Sequence, residues 1–417
     1  MTFMLEAKRT LSKEMRELAR RERISEERVR REIAKGRIVL FVKNGKPTGI
    51  GSLLTTKINT NIGTSPDYGS LADEREKLKT AVECGADTIM DLSTGKNYKE
   101  ALKQVVEISP VPVGSVPIYW AGLKFYYSKR NIWEMGEDDI LNAIAEHVRA
   151  GVDFVTVHAA LTRKGLEFAK KRVMKIVSRG GCFIASYMEA NCEENPLYTN
   201  YDYILEILKE SNVAISIGDA LRPGAVCDAS DRAQLHELRM QAELVKRAWK
   251  KGVSAICEGP GHMPLQEIEK NVKLQKKLCV GAPYYVLGPL VTDIAPGYDH
   301  ITSAIGGAIA AYAGAAWLCV VTPSEHLALP NIEDIRLGTV SAKIAAHAAD
   351  IAKGKDSEWD KKMSKARFAL DWGKQFSLSL DREKAIEYRR RRGTSSDACS
   401  MCGDFCALKI MRRITKA

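Results

Sequence analysis

The chain has 417 residues, 45% of them apolar, and a formal charge of +11. That content supports one barrel-sized domain or two to three smaller ones, and it excludes disordered, collagenous and disulfide-stapled miniature proteins. No run reaches the roughly 18 uncharged apolar residues of a membrane-spanning helix. The opening MTFMLEAKRTLSKEM lacks a secretory signal's apolar stretch, so the expected location is the cytoplasm.

Residues 1–40 hold 12 Lys and Arg against 7 Asp and Glu, and they read as two short helices. Ser12 and Ser25 are the expected N-caps, and Gly36 is the expected stop. From about residue 55 the pattern changes to short, β-branched apolar runs: Thr88–Leu92, Val111–Tyr119, Phe154–His158, Cys182–Tyr187, Val213–Asp219, Ser254–Glu258, Tyr284–Thr292 and Trp317–Thr322. Their near-continuous hydrophobicity predicts strands buried on both faces. Segments such as Glu137–Ala150, Asp202–Ser211, Arg232–Lys251 and Ile301–Gly314 suit crossover helices. The array favours a (β/α)8 barrel over an open doubly wound sheet, with Thr56–Gly63 either a ninth strand or a lid. After Gly354 the chain turns charged and helical again. The expected organisation is therefore a helical region over 1–54, a catalytic barrel over 55–354, and a helical region with a cysteine-bearing tail over 355–417.

Residues 381–417 hold 10 basic against 5 acidic side chains, so the 340 residues between the two charged ends carry only +1. With no basic stripe mixed with aromatics and no nucleic-acid fold signature, nucleic-acid binding is not expected.

Barrel enzymes gather their chemistry at the carboxyl ends of the strands. There the predicted runs release Asp91, Ser93, Thr94, Tyr119, His158, Asp219, Arg222, Glu258, His262, Thr292, Asp293, Glu325 and His326. Gly259, Pro260 and Gly261, with Pro223 and Gly224, shape two of these loops tightly. His262 and His326 fall just past neighbouring or near-neighbouring strands, and two histidines with an open remainder suit Zn²⁺ or a similar divalent ion. Asn61–Ser65, Ser178–Gly181 and Arg222 combine backbone N–H access, hydroxyl or amide groups and guanidinium, which together suggest an anionic substrate.

Most of the ten cysteines, among them Cys84, Cys227, Cys257, Cys279 and Cys319, read as core residues. Cys399, Cys402 and Cys406 instead crowd into C-S-M-C-G-D-F-C with no fourth nearby. Two readings stay open. One is a structural zinc completed from elsewhere, in a zinc-dependent barrel lyase or hydrolase. The other is a [4Fe–4S] cluster with one open iron for S-adenosylmethionine, which it would cleave reductively to a 5′-deoxyadenosyl radical.

Several long segments carry a resemblance: KINTNIGTSPDYG, ADTIMDLSTG, GDALRPG, EGPGHMPL, VTDIAPGYDHITSAIGGA, TPSEHLALP and CSMCGDFC. The chain resembles the phosphomethylpyrimidine synthase family, the thiamine-pyrimidine radical enzymes, which includes a 5-hydroxybenzimidazole synthase branch. The resemblance implies a homodimeric barrel enzyme that uses a [4Fe–4S] cluster, S-adenosylmethionine and Zn²⁺, needs an electron donor, and acts on 5-aminoimidazole ribotide. The product it implies is 4-amino-5-hydroxymethyl-2-methylpyrimidine phosphate, with hydroxybenzimidazole, on the way to a cobamide lower ligand, as the alternative. It also assigns roles. Asn61, Met90, Tyr119, His158, Ser178, Arg179, Gly180, Asp219, Ala220, Leu221, Arg222, Glu258 and Tyr285 correspond to substrate-site positions. Among them His158, Asp219 and Glu258 are the catalytic candidates, and Arg179 and Arg222 are those for phosphate or ribose. His262 and His326 correspond to zinc ligands, and Cys399, Cys402 and Cys406 to cluster ligands. Ala220 stands where the pyrimidine-forming pattern has glycine, Ala159 and Ala160 where short members often read Cys-Gly, and Ala190 where a histidine is expected. An added methyl at Ala220 in a close-packed pocket is expected to re-aim the substrate, and these pocket changes together favour the benzimidazole branch.

Overall fold

The computed structural model describes residues 1–393 and 397–415. Residues 394–396 and 416–417 of the predicted tail lie outside the described residues. The chain divides into two compact units, Met1–Ala349 and Asp350–Ala417. Among the described residues no helix is long and apolar enough to cross a membrane.

The first unit opens with three helices, Phe3–Ala7, Lys13–Glu22 and Glu26–Ala34, one more than the sequence suggested. Ser12 accepts the Met15 N–H and caps the second, whereas Ser25 stands at the N-cap of the third without a side-chain bond. An antiparallel hairpin follows, β1 (Val39–Lys43) and β2 (Lys46–Ile50). Its turn is Asn44-Gly45, both at positive φ, and Asn-Gly between apolar runs is a strong hairpin signal that composition alone obscures. Alternation along β1 gives it two faces: Leu40 packs with Met15, Leu18 and Val29 in a small core, while Val39 and Phe41 join the barrel's core. The Phe41 ring meets that of Phe154 at 5.6 Å, and Phe154 meets Trp317 at 5.0 Å. Both barrel residues begin their strands, so the hairpin plugs the amino end and leaves the carboxyl end for chemistry.

The barrel strands are β3 (Lys57–Ile62), β4 (Thr88–Asp91), β5 (Val113–Ser115), β6 (Phe154–Val157), β7 (Ala214–Ile217), β8 (Ala255–Gly259), β9 (Tyr284–Leu287) and β10 (Trp317–Cys319). They close in chain order, β10 pairing with both β3 and β9, and every pairing is parallel. The (β/α)8 fold class is thus as expected, but its membership differs in one place. Thr56–Gly63 is the first strand, and Cys182–Tyr187 belongs to a helix, Arg179–Asn191. The reason is physical. Asn59 and Asn61 point into the barrel as a hydrogen-bonded polar pair, and Thr60 points outward to Thr339, so three successive polar residues hide a strand from a hydrophobic scan. In the helix, Ser178 accepts the Gly181 N–H as N-cap, and Gly180, Ile184, Tyr187 and Met188 bury one face at helical spacing. The run Val111–Tyr119 also splits, since Pro117 opens the helix Pro117–Tyr127 at its first turn.

The second unit contains the helices Ser357–Phe368, Trp372–Leu378, Arg382–Arg391 and Ala407–Ile414. Trp359 Nε1 donates to the Leu378 carbonyl and Trp372 Nε1 to that of Asp397, while Arg389 stacks over the Trp372 ring at 4.1 Å. These bonds anchor the segment that leads into Cys399.

Candidate active site

Each of the eight strands, or the segment just past its end, delivers side chains to one cavity at the carboxyl end of the barrel. Asn61, Met90, Tyr119, His158 and Ser178 line it with Asp219, Arg222, Glu258 and Tyr285, nine of the thirteen positions singled out from the sequence. The other four do not line it: Gly180, Ala220 and Leu221 are buried behind its wall, and Arg179 is exposed. Arg179 lies over the Tyr119 ring at 5.1 Å. Gly180 backs the His158 imidazole, and Leu221 is buried with its N–H donated to Glu237. Ala220 is fully buried against Gly181, where a β-carbon would come within 2.8 Å of the Ala220 methyl. The extra methyl packs against a glycine and does not itself line the cavity.

His158 is held on three sides. Its Nε2 lies 3.0 Å from Ser178 Oγ, and β-carbons at Gly180 or Gly218 would come within 2.3 and 2.9 Å of its ring. Burial, with the Arg222 charge adding, lowers its pKa to about 3, so the imidazole is neutral near pH 7. A neutral imidazole there can donate or accept a hydrogen bond.

Arg222 Nη1 donates to Asp219 Oδ1 at 3.0 Å. Burial raises Asp219 to about 7 even though Arg222 pulls it down, with Glu258 pushing it up. Burial opposes the Arg222 charge, but Asp219, Tyr119 and Glu258 hold its pKa above the ordinary arginine value. Glu258 Oε1 accepts from Thr156 Oγ1 at 2.7 Å and from Ser216 Oγ at 2.6 Å, which leaves the other carboxylate oxygen for the cavity. Burial raises Glu258 as well, against those two hydroxyls. Two carboxyls thus hold protons unusually tightly, beside one permanent cation.

The floor is a polar network that sequence reasoning missed. Asn59 Nδ2 donates to Asn61 Oδ1 and to the Tyr285 hydroxyl, and Asn61 Nδ2 donates to Cys319 Sγ at 3.2 Å. Cys319 read as a core residue, yet it ends β10 and lines the cavity. Its place at a strand's carboxyl end was the available signal.

Asp91, Ser93 and Thr94 bind loops together and do not line the cavity. Ser93 Oγ donates to Asp91 Oδ1 at 2.7 Å and accepts the Thr64 N–H at 3.1 Å. Burial raises Asp91 to about 7, with the Ser93 hydroxyl lowering it and Glu74 raising it. The folded chain keeps this proton up to about pH 7 while the unfolded chain loses it near 3.8, so stability falls as pH rises through that window. Asp91→Asn keeps an acceptor for Ser93 and has no charge to bury. Its melting temperature relative to wild type is expected to climb from pH 4 to pH 7, by the equivalent of a few kcal/mol at about 1.4 kcal/mol per pKa unit. Thermal melts across that range check it, and parallel curves would refute it.

His262 and His326 come together with ring centroids 5.2 Å apart. His262 Nδ1 lies 2.7 Å from Asp293 Oδ1, and His326 Nδ1 lies 3.7 Å from Asp299 Oδ1. His326 takes a left-handed φ of 63°, a conformation that costs a non-glycine residue about 1–3 kcal/mol and collects at functional sites. Two imidazoles backed by carboxylates fit a divalent ion whose other positions take water or substrate. Among the described residues no three His, Cys, Asp or Glu side chains gather about a single ion.

In the second unit, Cys399, Cys402 and Cys406 bracket a tight turn in which the Cys402 and Gly403 N–H groups both donate to the Cys399 carbonyl. The N–H groups of Cys402 and Met401 lower the Cys399 thiol below its ordinary pKa. The thiols interact: Cys399 and Cys406 both help to raise Cys402, after burial. Thiolate-stabilising donors in a three-cysteine turn suit a cluster that takes each ligand at a different iron.

The fold and this pocket, cation-bearing and reached by every strand, define a (β/α)8-barrel enzyme. The chain belongs to the radical SAM ThiC family, which matches residues 2–413. It is 52% identical over 410 residues to a phosphomethylpyrimidine synthase of Thermoanaerobacter sp. (strain X514), covering 96% of this chain and 95% of that one. It is 48% identical to the phosphomethylpyrimidine synthase of Methanocaldococcus jannaschii over the full length of both, and 50% identical to that of Moorella thermoacetica over 96% and 95%. Family membership makes it a radical S-adenosylmethionine enzyme and brings an iron–sulfur cluster with it.

Proposed function

We propose that the chain is a phosphomethylpyrimidine synthase, converting 5-aminoimidazole ribotide to 4-amino-5-hydroxymethyl-2-methylpyrimidine phosphate for thiamine. The observation that carries the reading is full-length identity near 50% to relatives of that name, in a chain whose pocket sets one cation beside two proton-holding carboxyls. The cluster, held by Cys399, Cys402 and Cys406, supplies the electron that cleaves S-adenosylmethionine. Arg222, with Arg179 and the Ser178 N-cap nearby, receives the anionic phosphate and ribose end. Neutral His158, Asn61 and the Tyr285 hydroxyl orient the ring, while Met90 and Tyr119 exclude water from it. Asp219 and Glu258 hold and move protons on the rearranging substrate. His262 and His326 bind Zn²⁺. The enzyme works as a cytoplasmic homodimer with a one-electron donor, and the boundaries near residues 54 and 354 separate entry, barrel and cluster regions.

Anaerobic turnover of the reconstituted enzyme with S-adenosylmethionine, a reductant and 5-aminoimidazole ribotide, read by mass spectrometry, tests this. The pyrimidine phosphate is expected. Hydroxybenzimidazole would move the chain to the cobamide branch, and no 5′-deoxyadenosine at all would overturn both. Glu258→Gln keeps an acceptor for Thr156 and Ser216 and removes the proton. Its kcat is expected to fall about 10²- to 10⁴-fold, the range of general acid–base catalysis, with cluster content unchanged. Wild-type turnover in that variant would take Glu258 out of the mechanism.

A further inference from the structure

We propose that Asp293 is a positioning residue that orients the metal ligand His262 and ties the metal to the loop carrying Arg222. The inference rests on the reading of His262 and His326 as a Zn²⁺ pair.

The loops after β7, β8 and β9 interlock at His262. The His262 N–H donates to the Pro223 carbonyl at 2.9 Å, the Met263 N–H to the Leu290 carbonyl, and the Leu290 N–H to the Gly261 carbonyl. Gly261 has to be glycine here, since a β-carbon would come within 2.9 Å of the Pro223 oxygen. Asp293 adds a side-chain link across the same loops. Its Oδ1 lies 2.7 Å from His262 Nδ1, and the carboxylate accepts the Val226 N–H at 3.0 Å through Oδ2 and 3.3 Å through Oδ1. Val226 lies four residues after Arg222 on the loop that follows β7.

The chemistry of that arrangement is specific. A carboxylate accepting from Nδ1–H fixes the tautomer in which Nε2 carries the lone pair, and it makes that nitrogen a stronger ligand. Among the described residues Asp293 pairs with no lysine or arginine, so its charge is directed at His262. A cation on Nε2 balances that charge through the ring. On the His326 side the buried Asp299 has Oδ1 3.7 Å from His326 Nδ1, longer than a hydrogen bond, and Oδ2 without a hydrogen-bond partner, so the direct carboxylate–imidazole bond is made at His262. Occupying the metal position therefore holds the His262 ring, the ring holds Asp293, and Asp293 holds the Val226 amide and the loop on which Arg222 meets substrate.

The test uses the full-length chain without substrate. Zn²⁺ and Co²⁺ affinities are measured by competition with a chromophoric chelator for wild type, Asp293→Asn, Asp293→Ala and His262→Ala. Hydrogen exchange across residues 222–228 is followed with and without Zn²⁺. Asp293→Ala is expected to weaken Zn²⁺ binding about 10- to 100-fold and Asp293→Asn by less, with a shifted visible band of bound Co²⁺ and an unchanged melting temperature of the metal-free protein. Zn²⁺ should slow exchange at Val226 in wild type and leave it unchanged in Asp293→Ala. Wild-type affinity and wild-type Val226 protection in both Asp293 variants would overturn the inference while leaving the metal site standing. Zn²⁺ binding that is the same in wild type and His262→Ala would overturn the metal reading itself, and the inference with it.

Discussion

Replacing Cys406 with alanine is expected to abolish S-adenosylmethionine cleavage, with loss of iron and sulfide from the reconstituted protein. Cys406 is the buried one of the three tail cysteines and stands at the N-cap of the helix Ala407–Ile414. Cys399 has its thiolate favoured by the N–H groups of Cys402 and Met401, so that ligand meets preset donors. A cubane with three protein ligands and one iron open to S-adenosylmethionine has no spare ligand. The loss should therefore be complete, and the barrel's melting transition should stay where it was. Iron analysis, the visible spectrum of the cluster and 5′-deoxyadenosine formation together check it. Full cluster content with normal cleavage in Cys406→Ala would show that this cysteine is structural.

Arg222→Met should have the second largest effect. Arg222 is a partly buried cation paired with a buried carboxyl, and removing one partner of a desolvated charge pair costs about 2–5 kcal/mol of binding, on the order of 30- to 5,000-fold. Two readouts separate this from simple destabilisation. Affinity for 5-aminoimidazole ribotide should fall by that factor while affinity for its dephosphorylated nucleoside changes much less. The Asp219 inflection, at about 7 with Arg222 present, should move to higher pH, because the charge that lowers it is gone and the burial that raises it remains. Calorimetry and pH–rate profiles are the measurements. An unchanged affinity would assign the phosphate to another part of the cavity.

What the sequence alone determined follows from short-range chemistry. Parallel strands buried on both faces show as apolar runs, and seven of the eight predicted runs contain barrel strands. The residues just past them are the ones a barrel exposes at its carboxyl end, so Tyr119, His158, Asp219, Arg222 and Glu258 were all legible before any coordinates. The cysteine turn was legible because three rare residues so close together have few other uses.

Tertiary structure decided whatever depends on partners distant in the chain. The first barrel strand escaped a hydrophobic scan because Asn59 and Asn61 are satisfied by Tyr285 and Cys319, more than 200 residues away. Cys182–Tyr187 looked like a strand because a six-residue apolar run has no period of its own, and only the Ser178 cap and the buried helix face settle it. Local sequence could not show that the Ala220 methyl would meet a glycine on another helix, or that Asp293 would reach His262. Composition and pattern fix which groups a chain presents, but whether a carboxyl is raised to about pH 7 or an imidazole lowered to about 3 depends on burial and neighbouring charge, and those exist only once the barrel has closed.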